Sequence, residues 1–79
     1  MQKIPNNRVK AACALNERVA SLIDDGYRVR FKSSSFNNEM WWVTLLHKNG
    51  HKITLCAYWR KNKLIQKTDG RITHESSLY

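Results

Sequence analysis

Asn49-Gly50 divides the stretch Met40–Arg60, MWWVTLLHKNGHKITLCAYWR, into two apolar runs, and this constrains the fold more than any other feature of the chain. A type I′ turn needs positive φ at both central residues, which Asn and Gly tolerate best, so the stretch predicts a β-hairpin. Read as a two-residue turn, Asn49-Gly50 pairs Lys48 with His51 and sets each opposed pair outward from there. One face then carries Leu46 with Ile53, Thr44 with Leu55, Trp42 with Ala57 and Met40 with Trp59. The other carries His47 with Lys52, Leu45 with Thr54, Val43 with Cys56 and Trp41 with Tyr58, ending near Arg60. The first face is apolar except for Thr44 and is the expected core face, while the second is expected to stay open. A slip of one residue would exchange the two.

The remaining segments are expected to cover the core face. Pro5 and Asn6-Asn7 mark a lead-in and an N-cap, residues 1–6 being expected to lie ahead of the domain proper. From Arg8 to Asp24 the spacing of Ala12, Leu15, Val19, Leu22 and Ile23 predicts an amphipathic helix, with Asn16, Glu17 and Arg18 on its other side and Gly26 as its stop. Tyr27–Lys32, YRVRFK, alternates cleanly, which places Tyr27, Val29 and Phe31 on one face and Arg28, Arg30 and Lys32 on the other. Ser33–Glu39 reads as a polar loop, Lys61-Asn62-Lys63 as a tight connection, and Lys63–Thr68 as a further strand, with Asp69-Gly70 turning into Arg71–Thr73. Residues 75–79 are expected to fray. The expected fold is α+β, a single small domain over 1–79 with one N-terminal helix packed on an antiparallel meander of three to four strands.

Charge narrows the choice of partner. The chain of 79 residues has a net charge of +8, and ten of its fourteen basic residues fall between Arg28 and Arg71 against two acidic ones, Glu39 and Asp69. A basic sheet-forming region invites a polyanion, nucleic acid or an acidic protein surface. No apolar run is long enough to span a bilayer and MQKIPNN lacks the apolar region of a signal peptide, so the expectation is a cytoplasmic protein with no membrane partner. Cys13 and Cys56 form no CxxC and are read as reduced. His47, His51 and His74 lack metal-ligand spacing, Asp24 and Asp25 point apart on a helix, and Ser33–Ser35 have no evident base. No metal, cofactor or catalytic residue is expected, and no Gly-rich phosphate loop or acidic magnesium cluster occurs in the sequence.

The expected nucleic-acid surface consists of Arg28, Arg30, Lys32, Trp41, Lys52, Tyr58, Arg60 and Lys61, since flat rings stack on bases while Lys and Arg neutralise phosphates. An alternative from another class uses Trp41, Val43, Leu45 and Tyr58 as a protein-interaction patch, as in a phage or mobile-element product that docks on a host protein. A homodimer with a basic rim is compatible with both. The runs GYRVRF, TLLH, KITLCAYWRK and IQKT also resemble the C-terminal sheet of RelE/HigB-type ribosome-dependent RNA-cleaving toxins, over roughly Gly26–Thr68. That resemblance implies an RNA site lined by Arg28, Arg30, Tyr58, Arg60 and Lys61, which would bind the backbone and stabilise charge in phosphoryl transfer. Those toxins open with a strand and two helices, whereas this sequence predicts one helix and no strand before it.

Overall fold

The structure, a computed structural model, describes residues 6–34 and 40–78. One helix, α1 (Asn6–Asp24), precedes five strands: β1 (Tyr27–Ser34), β2 (Met40–His47), β3 (Lys52–Tyr58), β4 (Lys63–Thr68) and β5 (Arg71–Ser76). The strands pair in chain order as an antiparallel meander, so the α+β class holds and the strand count rises from three or four to five. The added length is at the C-terminus. Glu75 and Ser76 pair with Ile65 and Leu64, and Leu78 is buried, with its N–H donating to Asn62 Oδ1 at 2.8 Å. Residues 75–78 are therefore anchored where fraying was expected. Residues 1–5 of the predicted 1–6 lead-in, most of the Ser33–Glu39 loop and Tyr79 fall outside the described residues, while Asn6 is already helical and Ser33 and Ser34 extend β1.

The central hairpin forms, but in the neighbouring register. Val43 opposes Leu55, Leu45 opposes Ile53, Trp42 opposes Cys56 and Met40 opposes Tyr58. The loop holds three residues instead of two. His47 N–H donates to His51 O at 2.9 Å, Gly50 N–H donates to His47 O at 2.9 Å, and only Gly50 (φ 99°) has positive φ in the loop. This is a type I turn closed by a glycine bulge, the three-residue alternative to a type I′ turn. Side chains support it locally, because Asn49 N–H donates to His47 Nδ1 at 3.1 Å and His51 N–H donates to Asn49 Oδ1 at 3.0 Å. At the other hairpin Asp69 (φ 52°) and Gly70 (φ 88°) make the two-residue I′ geometry, with Thr68 opposite Arg71.

The shift exchanges the faces of β2 and leaves those of β3 as expected. Ile53, Leu55 and Ala57 are buried, and so are Val43 and Leu45 in place of Thr44 and Leu46. Trp41 packs against this core and Trp42 lies on the opposite face. A second irregularity acts on β1: between Val29 opposite Leu45 and Phe31 opposite Thr44 an extra residue, Arg30, bulges. In a bulge two residues face one partner, so Phe31 leaves the core face and Lys32, opposite Val43, takes it. Phe31 is accordingly 56% exposed.

The helix packs on β1 and β3 through Ala11, Leu15 and Leu22, flanked by Ala14 and Val19. Its buried stripe is rotated from the expected one. Ile23 is 49% exposed, and Arg18 sits on the core side, where Nη2 and Nε donate to Oε1 of the buried Gln66 at 2.6 and 3.1 Å. A buried amide oxygen left without a donor would cost about 1–3 kcal/mol, so the Arg18 bonds are what make Gln66 tolerable beneath the helix. Gly26 (φ 101°) ends the helix as expected, with its N–H donating to Ile23 O at 3.0 Å. The helix and Leu78 contribute to the same core as Val43, Leu45, Ile53 and Leu55, so no described element packs on the outer face of the sheet.

Candidate nucleic-acid interface

Strand pairing assigns every residue of the outer face. Arg28, Leu46 and Lys52 form the row nearest the Asn49-Gly50 turn. The next row runs Phe31, Thr44, Thr54, Lys67 and Ile72, followed by Ser33, Trp42, Cys56, Ile65 and Glu75, and then Met40, Tyr58 and Lys63. Each row lies about 7 Å from the next along the strands, and neighbouring strands are about 4.8 Å apart. Phe31, Trp42 and Tyr58 each sit one strand over and one row along from the last, so their Cα atoms form a diagonal with steps of about 8 Å. The diagonal exists because β1 bulges and β2 pairs in its shifted register. With YRVRFK regular and Lys48 opposite His51, both Phe31 and Trp42 would be under the helix.

Cations flank the diagonal. Arg28 and Lys52 stand at the turn end and Lys67 beside Thr54, and the side chain of none of the three has an ion-pair or hydrogen-bond partner among the described residues. Lys63, beside Tyr58, contacts Glu75 Oε2 at 3.2 Å across an exposed pair, an interaction worth at most about 1 kcal/mol and readily exchanged for a phosphate. Cys56 lies between Trp42 and Ile65, where burial pushes its thiol above the ordinary range and the nearby Lys67 partly offsets that.

The expected contacts divide accordingly. Arg28, Lys52 and Tyr58 share the outer face, and Arg30 borders it at the bulge. Trp41, Val43 and Leu45, the expected protein-interaction patch, face the helix, and Lys32 joins Leu15, Val19 and Trp41 around a cleft of about 290 Å³ on that side. Arg60 lies over the ring of the half-buried Trp59 at 5.4 Å, with Arg8 at 5.9 Å from the same ring, while Lys61 is exposed in the β3–β4 turn. The five residues brought together by the toxin resemblance are thereby split: Arg28 and Arg30 lie at one end of the sheet, and Tyr58, Arg60 and Lys61 lie about 20 Å away at the other. Sequence reading missed Phe31, Trp42, Lys63 and Lys67. The signal available for Trp42 was the Trp41-Trp42 doublet, which places an indole on each face in either register.

At the turn end an open cleft of about 510 Å³ is bordered by Arg28, Arg30 and Lys48, with Ile23, Tyr27 and Leu46 as apolar walls. His47 forms its floor, held by Nε2–H donation to Asp25 O at 3.1 Å, by the Asn49 N–H on Nδ1, and by an edge contact with the Tyr27 ring at 4.9 Å. At the adjacent turns, Asp69 Oδ1 accepts from Lys52 N at 2.9 Å and Oδ2 from His51 Nδ1 at 2.7 Å. The Lys52 backbone N–H and then the His51 contact hold the Asp69 carboxyl below its ordinary range. No helix among the described residues is long and apolar enough to cross a membrane. No family model, curated protein or solved structure matches the chain.

Proposed function

We propose that the protein binds single-stranded nucleic acid across the outer face of its sheet, in the cytoplasm, without catalysing a reaction on it. The observation that carries this reading is the diagonal of Phe31, Trp42 and Tyr58 flanked by Arg28, Lys52, Lys63 and Lys67 on a face that no described element covers. Stacking on each ring contributes about 1–3 kcal/mol with little sequence preference, and the cations track the backbone. Width favours a single strand over a duplex: five strands span about 19 Å, whereas the B-DNA major groove is about 12 Å wide and admits a helix or a two-stranded ribbon.

Fluorescence anisotropy with labelled single-stranded DNA and RNA of mixed sequence tests the reading. Three to four phosphate contacts give a slope of log K against log salt of about −2 to −3. Lys52→Glu/Lys67→Glu is expected to abolish binding at 100 mM salt, and absence of binding by the wild-type chain at low salt and high micromolar protein would refute the proposal. A second reading is favoured by the exposure of Phe31 and Ile72, at 56% and 60%: the same face docks a second copy of the chain or an acidic partner protein. Light scattering separates the two. A dimer that dissociates on adding oligonucleotide places both on one face, and a dimer that excludes oligonucleotide leaves only self-association.

A further inference from the structure

The geometry points to the cleft bordered by Arg28, Arg30 and Lys48 as the seat of the terminal phosphate of the bound strand, an inference that rests on the single-strand reading above. Three observations meet there. First, the three cations line one opening, and their side chains have no ion-pair or hydrogen-bond partner among the described residues. The β1 bulge contributes directly, since the extra residue shares the outer side with Phe31 and so brings Arg30 toward the cleft bordered by Arg28. Asp24 and Asp25, the nearest carboxylates in sequence, do not border it.

Second, the cleft lies where the aromatic diagonal leaves the sheet. From Tyr58 through Trp42 to Phe31 the line descends toward β1, an edge strand, and leaves the sheet at that edge beside Arg28 and Arg30, which lie on the same strand as Phe31. Arg28 is three residues from Phe31, within about 10 Å, so a base stacked on Phe31 puts its neighbouring phosphate within reach of both guanidiniums. Third, the floor is built in advance. His47 has both ring nitrogens engaged and closes against Gly26, where a Cβ would stand 2.7 Å from Nε2. With Nε2 engaged at Asp25 O and Nδ1 at the Asn49 N–H, the ring has no free nitrogen to offer an anion, so recognition falls to the three flanking cations.

A phosphomonoester carries about −1.5 to −2 charges near neutrality, against −1 for a diester, and it presents three equivalent oxygens. Two guanidiniums and an ammonium suit that group better than an internal linkage, because Arg pairs with phosphate oxygens bidentately and Lys adds a point charge. The line of the diagonal does not fix strand polarity, so both ends are tested.

Three unlabelled oligonucleotides of one sequence, carrying a 5′-phosphate, a 3′-phosphate or hydroxyls at both ends, compete against a labelled strand at fixed ionic strength. One phosphorylated form is expected to compete about tenfold better than the hydroxyl form, the effect of one to two charge-assisted hydrogen bonds. Arg30→Gln/Lys48→Gln is expected to bring that ratio close to one, with the fold checked by circular dichroism. Trp42→Ala weakens all three competitors and keeps the ratio. If the hydroxyl form competes as well as both phosphorylated forms, or the ratio survives Arg30→Gln/Lys48→Gln, the cleft is not the phosphate seat and the sheet-face reading stands. If none of the three competes, both fall.

Discussion

Trp41 and Trp42 are adjacent in sequence and face opposite sides of the sheet, so replacing each by alanine should damage different properties. Trp41 packs against the core and borders the helix-side cleft beside Leu15 and Val19. A fully buried Trp→Ala change costs about 3–5 kcal/mol, and for a half-buried ring against one wall of a cleft about 2 kcal/mol is the expectation. With a urea dependence near 1 kcal/mol per molar for a chain this small, the midpoint should fall by about 2 M. Trp42 lies on the opposite face, outside the core cluster, and shares only the rim of that cleft, so its loss should cost less, about 1 kcal/mol of stability. On the proposed single-strand reading its effect belongs to binding: losing one stacking platform worth about 1–3 kcal/mol should weaken the affinity for single strands by about 5- to 150-fold. Urea titration followed by far-ultraviolet circular dichroism, with anisotropy on the same two variants, reads both quantities. A larger midpoint shift for Trp42→Ala than for Trp41→Ala would mean that β2 pairs in the other register, and the aromatic diagonal would be refuted with it.

Three further outcomes follow from particular contacts. Gly26→Ala places a Cβ 2.7 Å from His47 Nε2 at a φ of 101°, and about 1–3 kcal/mol of stability should be lost in urea titration, a neutral result being incompatible with the close approach. The Asp69 carboxyl is held below its ordinary range, so its contribution is present above the unfolded carboxylate value, near 3.9, and is lost as pH falls through the lower folded value. Asp69→Asn should therefore lower the urea midpoint at pH 7 and lower it less as the pH falls below the ordinary carboxylate range, and an effect independent of pH would rule out the ionised carboxylate as the source. Cys56, with its thiol raised by burial, should react with maleimide more slowly than the exposed Cys13, and a bound strand should slow Cys56 further without protecting Cys13; equal protection of both would argue against the outer face as the binding surface.

Helix, strands and turns were largely legible because each has a local cause. The extent of α1 with Gly26 as its stop, the alternation of β3, and the Asp69-Gly70 turn all follow from residue types over a few positions. What failed depended on choices between nearly equal local solutions. Asn49-Gly50 fits a two-residue turn as well as Asp69-Gly70 does, yet His47 and Asn49 hydrogen-bond the main chain around a three-residue loop and shift the register by one. Periodicity in MWWVTLLH could not correct the error, because β2 has apolar residues on both faces. The bulge at Arg30 was equally hidden in a run that alternates without a break, and Arg18 left the polar side of the helix for a partner, Gln66, 48 positions away.

These departures did not act on the site independently. The register shift brings Trp42 to the outer face and removes Trp41, and the bulge brings out Phe31 and removes Lys32, while Tyr58 stays where β3 alternation put it. Two of the three rings on the open face therefore differ from those expected, yet the face is aromatic with a basic margin in both arrangements. The tryptophan doublet accounts for one exchange, since moving β2 by one residue replaces an indole with an indole, whereas in YRVRFK the bulge trades the basic Lys32 for the aromatic Phe31 on the outer face while Arg28 and Arg30 remain beside it. The aromatic and basic character of the face was accordingly readable from composition along the strands. The individual contacts required the loop length and the bulge, which are decided by hydrogen bonds among His47, Asn49 and His51 and by pairing across to Thr44 and Leu45.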